Sequence, residues 1–325
     1  MKEIRVRPSG ASAALMGFFW LGVLVWPPST LAVECGGTLT DGSVRIDRDI
    51  GPCVESPALI IDGPVNVNFN GFTLECAGAG TGIEITGQNA KVQNGIVLNC
   101  QDGIELRGDG GHQILKMTLT STQMDRGDRG FRIRSDHNHL VQNIAERFNG
   151  EGFRVEGEGN RLVNNKALNN SAHGFRLRGN GEHELVNNLA EGNGEEGFRL
   201  DSDGNRLVSN IAIENGDEGF RARDGSGNTL INNRAEGNGI TDKEAGFRVQ
   251  SDENLLRNNT AVDNHGDGIL LAVDEEEEEF AENNEIAHNT ARDNEGIDLV
   301  DENNECDGNV WFKNRYRTSN PDCIH

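Results

Sequence analysis

The stretch "EGFRVEGEGNRLVNNKALNN", residues 151–170, contains the two motifs on which the prediction of the fold depends. It opens with the triplet Gly-Phe-Arg and continues with the motif Asn-x-Leu-x-x-Asn-x-Ala. Phe153 and Val155 alternate with Arg154, which is the period of a β-strand with one buried face. Asparagine favours neither helices nor strands, so its repeated use indicates a specific structural role.

Both motifs recur along the chain, and the copies of the triplet are spaced by 21 to 23 residues or by 27 or 28 residues. Clear copies of the triplet begin at Gly130, Gly152, Gly174, Gly197, Gly219 and Gly246, and looser copies at Gly82, Gly103, Gly268 and Gly296. The second asparagine of the other motif is Asn143, Asn165, Asn188, Asn210, Asn233, Asn259 or Asn289. A period near 22 residues is typical of a solenoid, in which each repeat packs only on its neighbours.

The local alternation favours strands over helices as the content of each repeat. Leucine-rich repeats use asparagine in a similar way, but their several-leucine consensus is absent from this sequence. Short strands joined by glycine and asparagine corners would stack into parallel sheets with strands ~4.8 Å apart. We expect equivalent asparagines to form hydrogen-bonded ladders along the stack, with phenylalanines and leucines in apolar stacks beside them. The sequence therefore predicts an all-β, parallel β-helix solenoid of about ten coils of roughly 22 residues.

The composition restricts the possible partners. Only 35% of residues are hydrophobic and the formal net charge is −23, a combination that also occurs in disordered chains. The regular apolar spacing argues against disorder. Nucleic acid is an unfavourable partner because its phosphates would be repelled by so acidic a protein.

The N-terminal segment is predicted to be a signal peptide spanning residues 1–32. Three basic residues precede the apolar stretch 11–26, and small residues follow up to Ala32. An uncleaved membrane anchor is the alternative, although the apolar stretch is short for a membrane span. We predict a secreted or periplasmic protein without a membrane span after cleavage, and a monomer. Residues 33–325 would form one β-helix domain, with cap regions at 34–62 and 301–325.

Six cysteines fit an exported protein, because an even number in an oxidising compartment favours disulfides. Many pairings are possible, and we predict the three that join cysteines close in sequence: Cys35–Cys53, Cys76–Cys100 and Cys306–Cys323. A zinc site is the weaker interpretation, since the spacing Cys-x-x-Cys and clustered histidines are missing.

Together with the repeats, two further stretches carry a family resemblance: "VNVNFNGFTLEC", residues 65–76, and "ECDGNVWFKNRYRTSNPDC", residues 305–323. The chain resembles secreted bacterial proteins with right-handed parallel β-helix repeats, a pectate-lyase-like superfamily. That group includes NosD-like periplasmic proteins and polysaccharide lyases, epimerases and hydrolases. The resemblance is greatest to uncharacterised members with cysteine-bounded ends. It implies a right-handed solenoid with disulfide-closed ends and leaves the activity open, because this fold hosts many chemistries.

The catalytic motifs of the characterised relatives are missing. The sequence lacks the Asn-Thr-Asp and Gly-His-Gly motifs of polygalacturonase-like hydrolases and the Asp-Pro-His-Glu motif of mannuronan epimerases. Its single tyrosine, Tyr316, lies in the cysteine-bounded C-terminal segment, and four methionines are few for a NosD-like copper site. A calcium-assisted lyase with an arginine or lysine base requires the least specific motif and remains compatible with the sequence.

The arginine of Gly-Phe-Arg is the main candidate for substrate binding. If phenylalanine points inward, one arginine per coil points outward, and Arg134, Arg178 and Arg223 would form a partial second file. Regularly spaced guanidinium groups suit an extended polymer that bears carboxylates or sulfates. The alternative is a charge-paired surface that keeps the solenoid soluble, because acidic residues lie close in sequence. The six candidate residues are Arg132, Arg154, Arg176, Arg199, Arg221 and Arg248.

Weaker candidates lie in corners and in the longer connections 104–129, 239–245 and 272–283. His137 and His139 could form an acid–base or metal site, or could be polar turn residues. An acidic run could capture calcium through its carboxylates, although such a run is typically a solvated loop. The residues of this possible metal site are Asp274, Glu275, Glu276, Glu277, Glu278, Glu279 and Glu282.

These features lead to two hypotheses about function. The first is an exported protein that binds an extended acidic polysaccharide, or presents a surface to it, at the cell envelope or outside the cell. The second is a polysaccharide lyase or C5-epimerase acting on a uronate-containing glycan. Calcium is the only cofactor suggested. The hypotheses differ in whether an outward cleft collects carboxylates, an arginine and a histidine within a few ångströms.

Overall fold

The computed structural model describes residues 33–78, 80–122, 127–273, 280–303, 306 and 308–324. Within these ranges the chain forms short β-strands and no α-helix. The strands are β1 (Gly37–Leu39), β2 (Ser43–Arg45), β3 (Ile50–Cys53), β4 (Leu59–Ile61), β5 (Asn66–Asn68), β6 (Thr73–Cys76), β7 (Thr81–Ile85), β8 (Lys91–Leu98), β9 (Asp102–Leu106), β10 (Gln113–Thr120), β11 (Arg129–Ile133), β12 (His139–Val141), β13 (Ile144–Glu146), β14 (Phe153–Val155), β15 (Arg161–Val163), β16 (Lys166–Leu168), β17 (Phe175–Leu177), β18 (Glu184–Val186), β19 (Leu189–Glu191), β20 (Phe198–Leu200), β21 (Arg206–Val208), β22 (Ile211–Ile213), β23 (Phe220–Ala222), β24 (Thr229–Ile231), β25 (Arg234–Glu236), β26 (Phe247–Val249), β27 (Leu255–Arg257), β28 (Thr260–Val262), β29 (Ile269–Leu271), β30 (Glu285–Ala287), β31 (Thr290–Arg292), β32 (Leu299–Asp301), β33 (Val310–Phe312) and β34 (Ser319–Asn320).

The strands stack into three parallel ladders, one strand of each ladder per coil. The arginine sheet contains the Gly-Phe-Arg strands and has thirteen members, β1, β4, β7, β9, β11, β14, β17, β20, β23, β26, β29, β32 and β34. The leucine sheet runs through β12, β15, β18, β21, β24, β27 and β30, and the alanine sheet through β13, β16, β19, β22, β25, β28 and β31. Nearer the N-terminus, β8 and β10 are long enough to belong to both of these ladders. The result is the predicted parallel solenoid.

The number of turns is about twelve, against roughly ten expected from the sequence. The sheets begin at β1 and continue to β34, so they extend through segments where the Gly-Phe-Arg motif is absent. In those segments the strands keep hydrophobic alternation and parallel pairing, as in β4, where Leu59 and Ile61 are buried.

Register places each repeat position over its equivalent. Phe153 pairs with Phe131 on one side and with Phe175 on the other, and the same pairing continues to Phe247. The six phenylalanine rings are buried and nearly parallel, with centroids 4.6–4.9 Å apart. This continuous aromatic stack lies directly beneath the arginine sheet.

The glycine of the triplet is required by close packing inside the solenoid. A Cβ atom on Gly174 would lie 2.6 Å from the carbonyl oxygen of Gly197 and 2.8 Å from the Cβ atom of Ala190. Both distances are shorter than side-chain carbons tolerate. Glycine therefore lets the chain turn inward immediately before each phenylalanine.

Buried asparagines form ladders along the axis, as the repeated motif predicts. Nδ2 of Asn188 donates to Oδ1 of Asn210 at 3.0 Å and to the carbonyl oxygen of Leu162 at 2.9 Å. Oδ1 of Asn188 accepts bonds from the main-chain N–H and from Nδ2 of Asn165. A buried amide such as that of Asn188 thus satisfies its donors and acceptors within the stack. The three ladders contain Asn138, Asn160, Asn205, Asn228, Asn254, Asn284 and Asn309; Asn143, Asn165, Asn188, Asn210, Asn233, Asn259, Asn289 and Asn314; and Asn170, Asn193, Asn215, Asn238, Asn264 and Asn294.

One ladder is interrupted by a histidine. Nδ1 of His183 accepts the main-chain N–H of Asn160 at 3.2 Å, and the N–H of His183 donates to Oδ1 of Asn205. Nδ2 of Asn160 has no hydrogen-bond partner among the described residues. Burial lowers the pKa of His183 to about 4, although the carbonyl of Arg178 and the charge of Asp136 oppose this. The ladder therefore contains the neutral imidazole of His183 at the position where the neighbouring coils have an asparagine amide.

The three predicted disulfides are confirmed. Cys35–Cys53, Cys76–Cys100 and Cys306–Cys323 have Cα–Cα distances of 5.3, 5.0 and 6.1 Å. The middle pair joins neighbouring coils, and the outer pairs lie at the two ends of the solenoid. Three disulfides fit an oxidising compartment. The predicted signal peptide lies outside the described residues, and in the described part of the chain no helix is long and apolar enough to cross a membrane.

Candidate functional site

The six motif arginines lie on the outer face of the arginine sheet, one per strand from β11 to β26. Each is paired in register with its equivalent in the next coil. Because the phenylalanine before each arginine points into the core, the guanidinium groups point outward, as the alternation predicts. Their side chains are only 15–21% exposed. The file therefore exists, but its members are partly covered.

Carboxylates from flanking columns cover the arginines. One column lies two residues before the phenylalanine of each strand and the other lies three residues after it. Asp201 illustrates the pattern, since its two oxygens lie 2.8 Å from Nε of Arg199 and 2.9 Å from Nε of Arg176. One carboxylate thus bridges arginines of consecutive coils. Burial alone would raise the pKa of Asp201, but hydrogen bonds and charges from Arg199 and Arg176 outweigh burial and lower the pKa.

All six arginines have such partners, at nitrogen–oxygen distances of 2.6–3.8 Å. The pairs are Arg132 with Glu105 and Glu156, Arg154 with Glu151 and Glu156, Arg176 with Glu151 and Asp201, Arg199 with Glu196 and Asp201, Arg221 with Glu196 and Glu218, and Arg248 with Glu218 and Glu244. The contacts form a continuous ion-pair network along the axis. This geometry agrees with the charge-paired surface expected from the sequence as the alternative to substrate binding.

The network uses one part of each guanidinium group. In all six arginines the carboxylate contacts given above are made by Nε or Nη1, and within the described chain no hydrogen bond of these arginines is made by Nη2. An arginine has five N–H donors, so each retains donors after its carboxylates are satisfied. The acids therefore hold the guanidinium groups in place while leaving Nη2 for a further acceptor.

A second file of arginines is more open. Arg134 and Arg178, two of the three residues predicted for it, are about a third or more exposed, and Arg223 is more covered. Arg107 extends this file by one coil and was not predicted. Three columns of side chains point outward from the arginine-sheet strands between β9 and β26: the column of the motif arginine and the two flanking columns. In these columns eleven arginines face seven carboxylates. These three columns therefore carry a net positive charge on a chain whose net charge is −23.

A histidine–carboxylate cluster lies at one edge of the same face. Nδ1 of His173 lies 2.6 Å from Oε2 of Glu196 and 3.0 Å from Oε2 of Glu195. His173 and Glu196 are buried, whereas Glu195 is half exposed. Burial would raise the pKa of Glu196, but its contacts with His173 and Arg199 lower the pKa to about 2.

Sequence reasoning missed this cluster. His173 occupies the column in which the adjacent coils carry Glu151 and Glu196, so a histidine within an acidic column was the available signal. The proximity of Glu195 depends on the conformation of the corner before the strand, which the repeat does not specify.

Glu218 continues that column in the next coil and is fully buried. Neither of its carboxylate oxygens has a hydrogen bond within the described chain, although Arg248 and Arg221 lie 3.5 and 3.7 Å away. Burial raises the pKa of Glu218 to about 7, with Arg221 opposing and Glu196 adding to the effect. A carboxylic acid that titrates near neutrality beside arginines is a common component of acid–base sites.

The connection 239–245 packs against this region. The N–H of Thr241 donates to the carbonyl oxygen of Gly216 at 2.9 Å, and Glu244 pairs with Arg248 at 3.0 Å. Of the three long connections singled out in the sequence, this one is described in full and borders the arginine sheet. The other two contain residues outside the described ranges.

The remaining candidates are not brought to the arginine sheet. His137 lies in an exposed corner with a left-handed backbone, and His139 begins β12 of the leucine sheet opposite Arg161. The run Asp274–Glu279 lies outside the described residues. Glu282 is exposed, and its N–H donates to the carboxylate of Asp252.

Comparison with known proteins gives the family but little about the activity. The family model described as right handed beta helix region matches residues 60–188 and 151–316. A search of curated protein sequences found no significant match.

Solved structures provide similar folds at low sequence identity. The A-module of mannuronan C-5 epimerase AlgE4 from Azotobacter vinelandii is 18% identical, with 87% of this chain and 86% of that chain covered and a TM-score of 0.62. A mutant of the periplasmic alginate epimerase AlgG is 14% identical, with coverage of 87% and 84% and a TM-score of 0.59. The catalytic domain of a GH87 α-1,3-glucanase is 14% identical, with coverage of 89% and 64% and a TM-score of 0.59. At these identities the similarity extends to the fold alone.

Proposed function

The chain belongs to the right-handed β-helix family, and from this premise we propose that it is an exported protein that binds an extended acidic polysaccharide along the arginine sheet. The observation that carries the proposal is the file of six guanidinium groups in register, in which no hydrogen bond within the described chain uses Nη2. Carboxylates or sulfates of a polymer are suitable acceptors for these donors.

The dimensions of the file support a polymeric ligand. Strands in the sheet repeat every ~4.8 Å, so the six arginines span about 24 Å. That repeat is comparable with the length of one sugar residue in an extended chain. A uronate polymer could therefore meet one arginine with each successive sugar, and many weak contacts would add up along the surface.

The local charge supports an anionic partner. Eleven arginines and seven carboxylates occupy the three outward columns of the central strands, while the chain as a whole is strongly acidic. An acidic glycan would be repelled elsewhere and attracted here, so the charge distribution would also orient it. The alginate epimerases among the structural neighbours act, by their names, on a polyuronate of this kind.

A lyase or C5-epimerase acting on uronate-containing glycan is the second candidate. Its supporting observation is that His173, Glu196 and Arg199 lie within a few ångströms on the arginine face, next to Glu218 with its raised pKa. These are the residue types that proton transfer beside a sugar carboxylate requires. Burial of His173, Glu196 and Glu218 favours binding over catalysis, because a substrate would have to displace covering side chains.

The binding proposal is tested with two arginine variants and a matched control. We expect the protein to bind alginate or polygalacturonate, but not dextran, with an affinity that falls steeply as salt rises. Arg134→Ala with Arg178→Ala removes exposed charges and should weaken binding about tenfold or more. Arg161→Ala with Arg206→Ala removes two charges from the leucine sheet and should leave affinity unchanged.

A conservative variant addresses the six-residue file itself. Arg176→Lys with Arg199→Lys keeps both charges but removes the planar donors, so binding should weaken while the fold is retained. Calorimetric titration measures affinity, and circular dichroism checks the fold. Equal losses in the leucine-sheet control, or no binding to any acidic glycan, would reject the proposal. Ultraviolet-absorbing unsaturated products, or exchange of the C5 proton in D₂O followed by NMR, would instead support the enzymatic alternative.

A further inference from the structure

The histidine–carboxylate cluster of His173, Glu195 and Glu196 has the arrangement of metal ligands. Each of the three residues offers one potential ligand atom, and these atoms all lie within 4.8 Å of one another. Within the described residues, this group of three potential ligands could hold a metal ion. The atoms are Nδ1 of the histidine and one oxygen of each carboxylate. Imidazole nitrogen combined with carboxylate oxygen is a donor set typical of zinc and similar transition metals.

The histidine lacks the hydrogen bond that would explain its position. Nδ1 of His173 is buried and lies 2.6 Å from Oε2 of Glu196, yet it makes no hydrogen bond of acceptable angle within the described chain. The same nitrogen lies 3.0 Å from Oε2 of Glu195, so one imidazole nitrogen faces the oxygens of two carboxylates.

The two oxygens of Glu196 have separate environments. Oε1 faces the cationic network, 3.2 Å from Nη1 of Arg199 and 3.4 Å from Nη1 of Arg221. Oε2 faces His173 instead. The arginines would thus orient the carboxylate from behind, as outer hydrogen bonds commonly do for metal-binding carboxylates.

More carboxylates surround the cluster on its other side. The N–H of Asp217 contacts the carbonyl oxygen of Glu195, so these residues occupy equivalent places in consecutive coils. The carboxyl group of Asp217 lies near those of Glu195, Glu196, Asp242 and Glu244. Asp242 and Glu244 belong to the connection 239–245. Several carboxylates are therefore close to the cluster.

We propose that His173, Glu195 and Glu196 bind a divalent transition-metal ion, with Zn²⁺ as the best match to the ligand chemistry. Zinc bonds of about 2.0–2.1 Å in a tetrahedral site place ligand atoms about 3.3 Å apart. The 3.0 Å distance from Nδ1 to Glu195 can lengthen because that side chain is half exposed, whereas the 2.6 Å distance to Glu196 requires a shift of two buried side chains. Calcium fits less well because it prefers oxygen ligands alone. Three protein ligands leave a fourth position at the edge of the arginine sheet.

The test measures zinc binding by the tag-free chain after treatment with a chelator. We expect one Zn²⁺ per chain in competition with a chromophoric chelator, and a rise in melting temperature with added Zn²⁺. His173→Asn should weaken zinc binding about tenfold or more. Glu195→Gln should do the same and should fold normally, because that side chain is half exposed.

A matched control separates the site from the general acidity of the protein. His265 and Glu295 also lie 3.0 Å apart, but they are exposed and form a simple pair. His265→Asn should therefore leave the zinc affinity unchanged. Co²⁺ should give a visible absorption band with the native chain and lose it in His173→Asn. Absence of stoichiometric binding, or equal binding by Glu195→Gln and the native chain, would show that the cluster is only a buried ion pair.

Discussion

Single buried asparagine side chains join consecutive coils of this solenoid through hydrogen bonds. A buried asparagine such as Asn188 donates two hydrogen bonds through Nδ2 and accepts two through Oδ1. Its neighbour Asn187 is exposed and has a positive φ of 56°. Two adjacent residues of one type thus have different functions, one in the ladder and one in the corner.

This difference predicts unequal effects of substitution. Asn188→Ala should lower the free energy of unfolding by about 3 kcal/mol or more, because several buried groups lose their partners. Asn187→Gly should change it little, since glycine adopts a positive φ readily. Denaturant unfolding of both variants measures the difference. Equal losses would mean that the ladder bonds contribute nothing beyond the corner conformation.

His183 gives the ladder a dependence on pH. Its pKa is about 4 in the folded protein, whereas an unfolded histidine titrates near 6.5. Between these values only the unfolded chain gains the proton, so stability falls as pH drops and the loss reaches about 3 kcal/mol near pH 4. His183→Asn should remove this loss and restore the bond to Nδ2 of Asn160.

The measurement compares unfolding free energies at pH 7.5 and pH 4.5. The advantage of His183→Asn over the native chain should grow as pH falls. His137→Asn is the control, because its ring is exposed and its positive φ suits asparagine. An advantage that does not change with pH would contradict the role given to His183.

At the scale of elements, the sequence predicted the Gly-Phe-Arg strands because one strand contains all the necessary signals. Alternation in Phe153, Arg154 and Val155 fixed which side chains point inward, and the structure agrees. The ion pairs on the outer face were beyond prediction in detail. Each depends on distances between different coils, such as that between Asp201 and Arg176, and on the conformation of a corner. For the same reason the cluster around His173 was not found.

The glycine before each phenylalanine provides a test of packing. Gly174→Ala should lower the free energy of unfolding by about 1–3 kcal/mol, because the added Cβ meets the main chain of the next coil. Gly78→Ala is the control, since a Cβ there has nothing within 4 Å. Thermal melting of both variants distinguishes them. A neutral Gly174→Ala would show that the interior can expand at this position.

For the whole molecule, the period of the repeat predicted a continuous solenoid, and the choice of cysteines close in sequence predicted its disulfides. The extent was underestimated, because β1 and β34 lie in segments that lack the repeat motif. Such segments keep the strand pairing but change the side chains, so a motif search ends too early. Stability in a solenoid is a sum over neighbouring coils.

This one-dimensional character predicts a local effect of the terminal disulfide. Replacing Cys306 and Cys323 with serine should increase amide hydrogen exchange in β33 and β34 while leaving β17, β20 and β23 unchanged. Replacing Cys76 and Cys100 should instead affect the coils around β6 and β8. Hydrogen exchange followed by mass spectrometry resolves these regions. A uniform increase along the chain would indicate a single cooperative unit.

The asparagine ladders also make the solenoid electrically polar. Every ladder bond runs the same way, from Nδ2 of one coil to Oδ1 of the next, so the amide dipoles align with their positive ends toward the C-terminus. Two ladders end at carboxylates: Nδ2 of Asn294 donates to Asp298, and Nδ2 of Asn309 lies 3.3 Å from an oxygen of Asp301. Negative charge at the positive end of aligned dipoles stabilises the array, as it does at a helix N-terminus. Asp298 and Asp301 therefore act as electrostatic caps where the stack of amides ends.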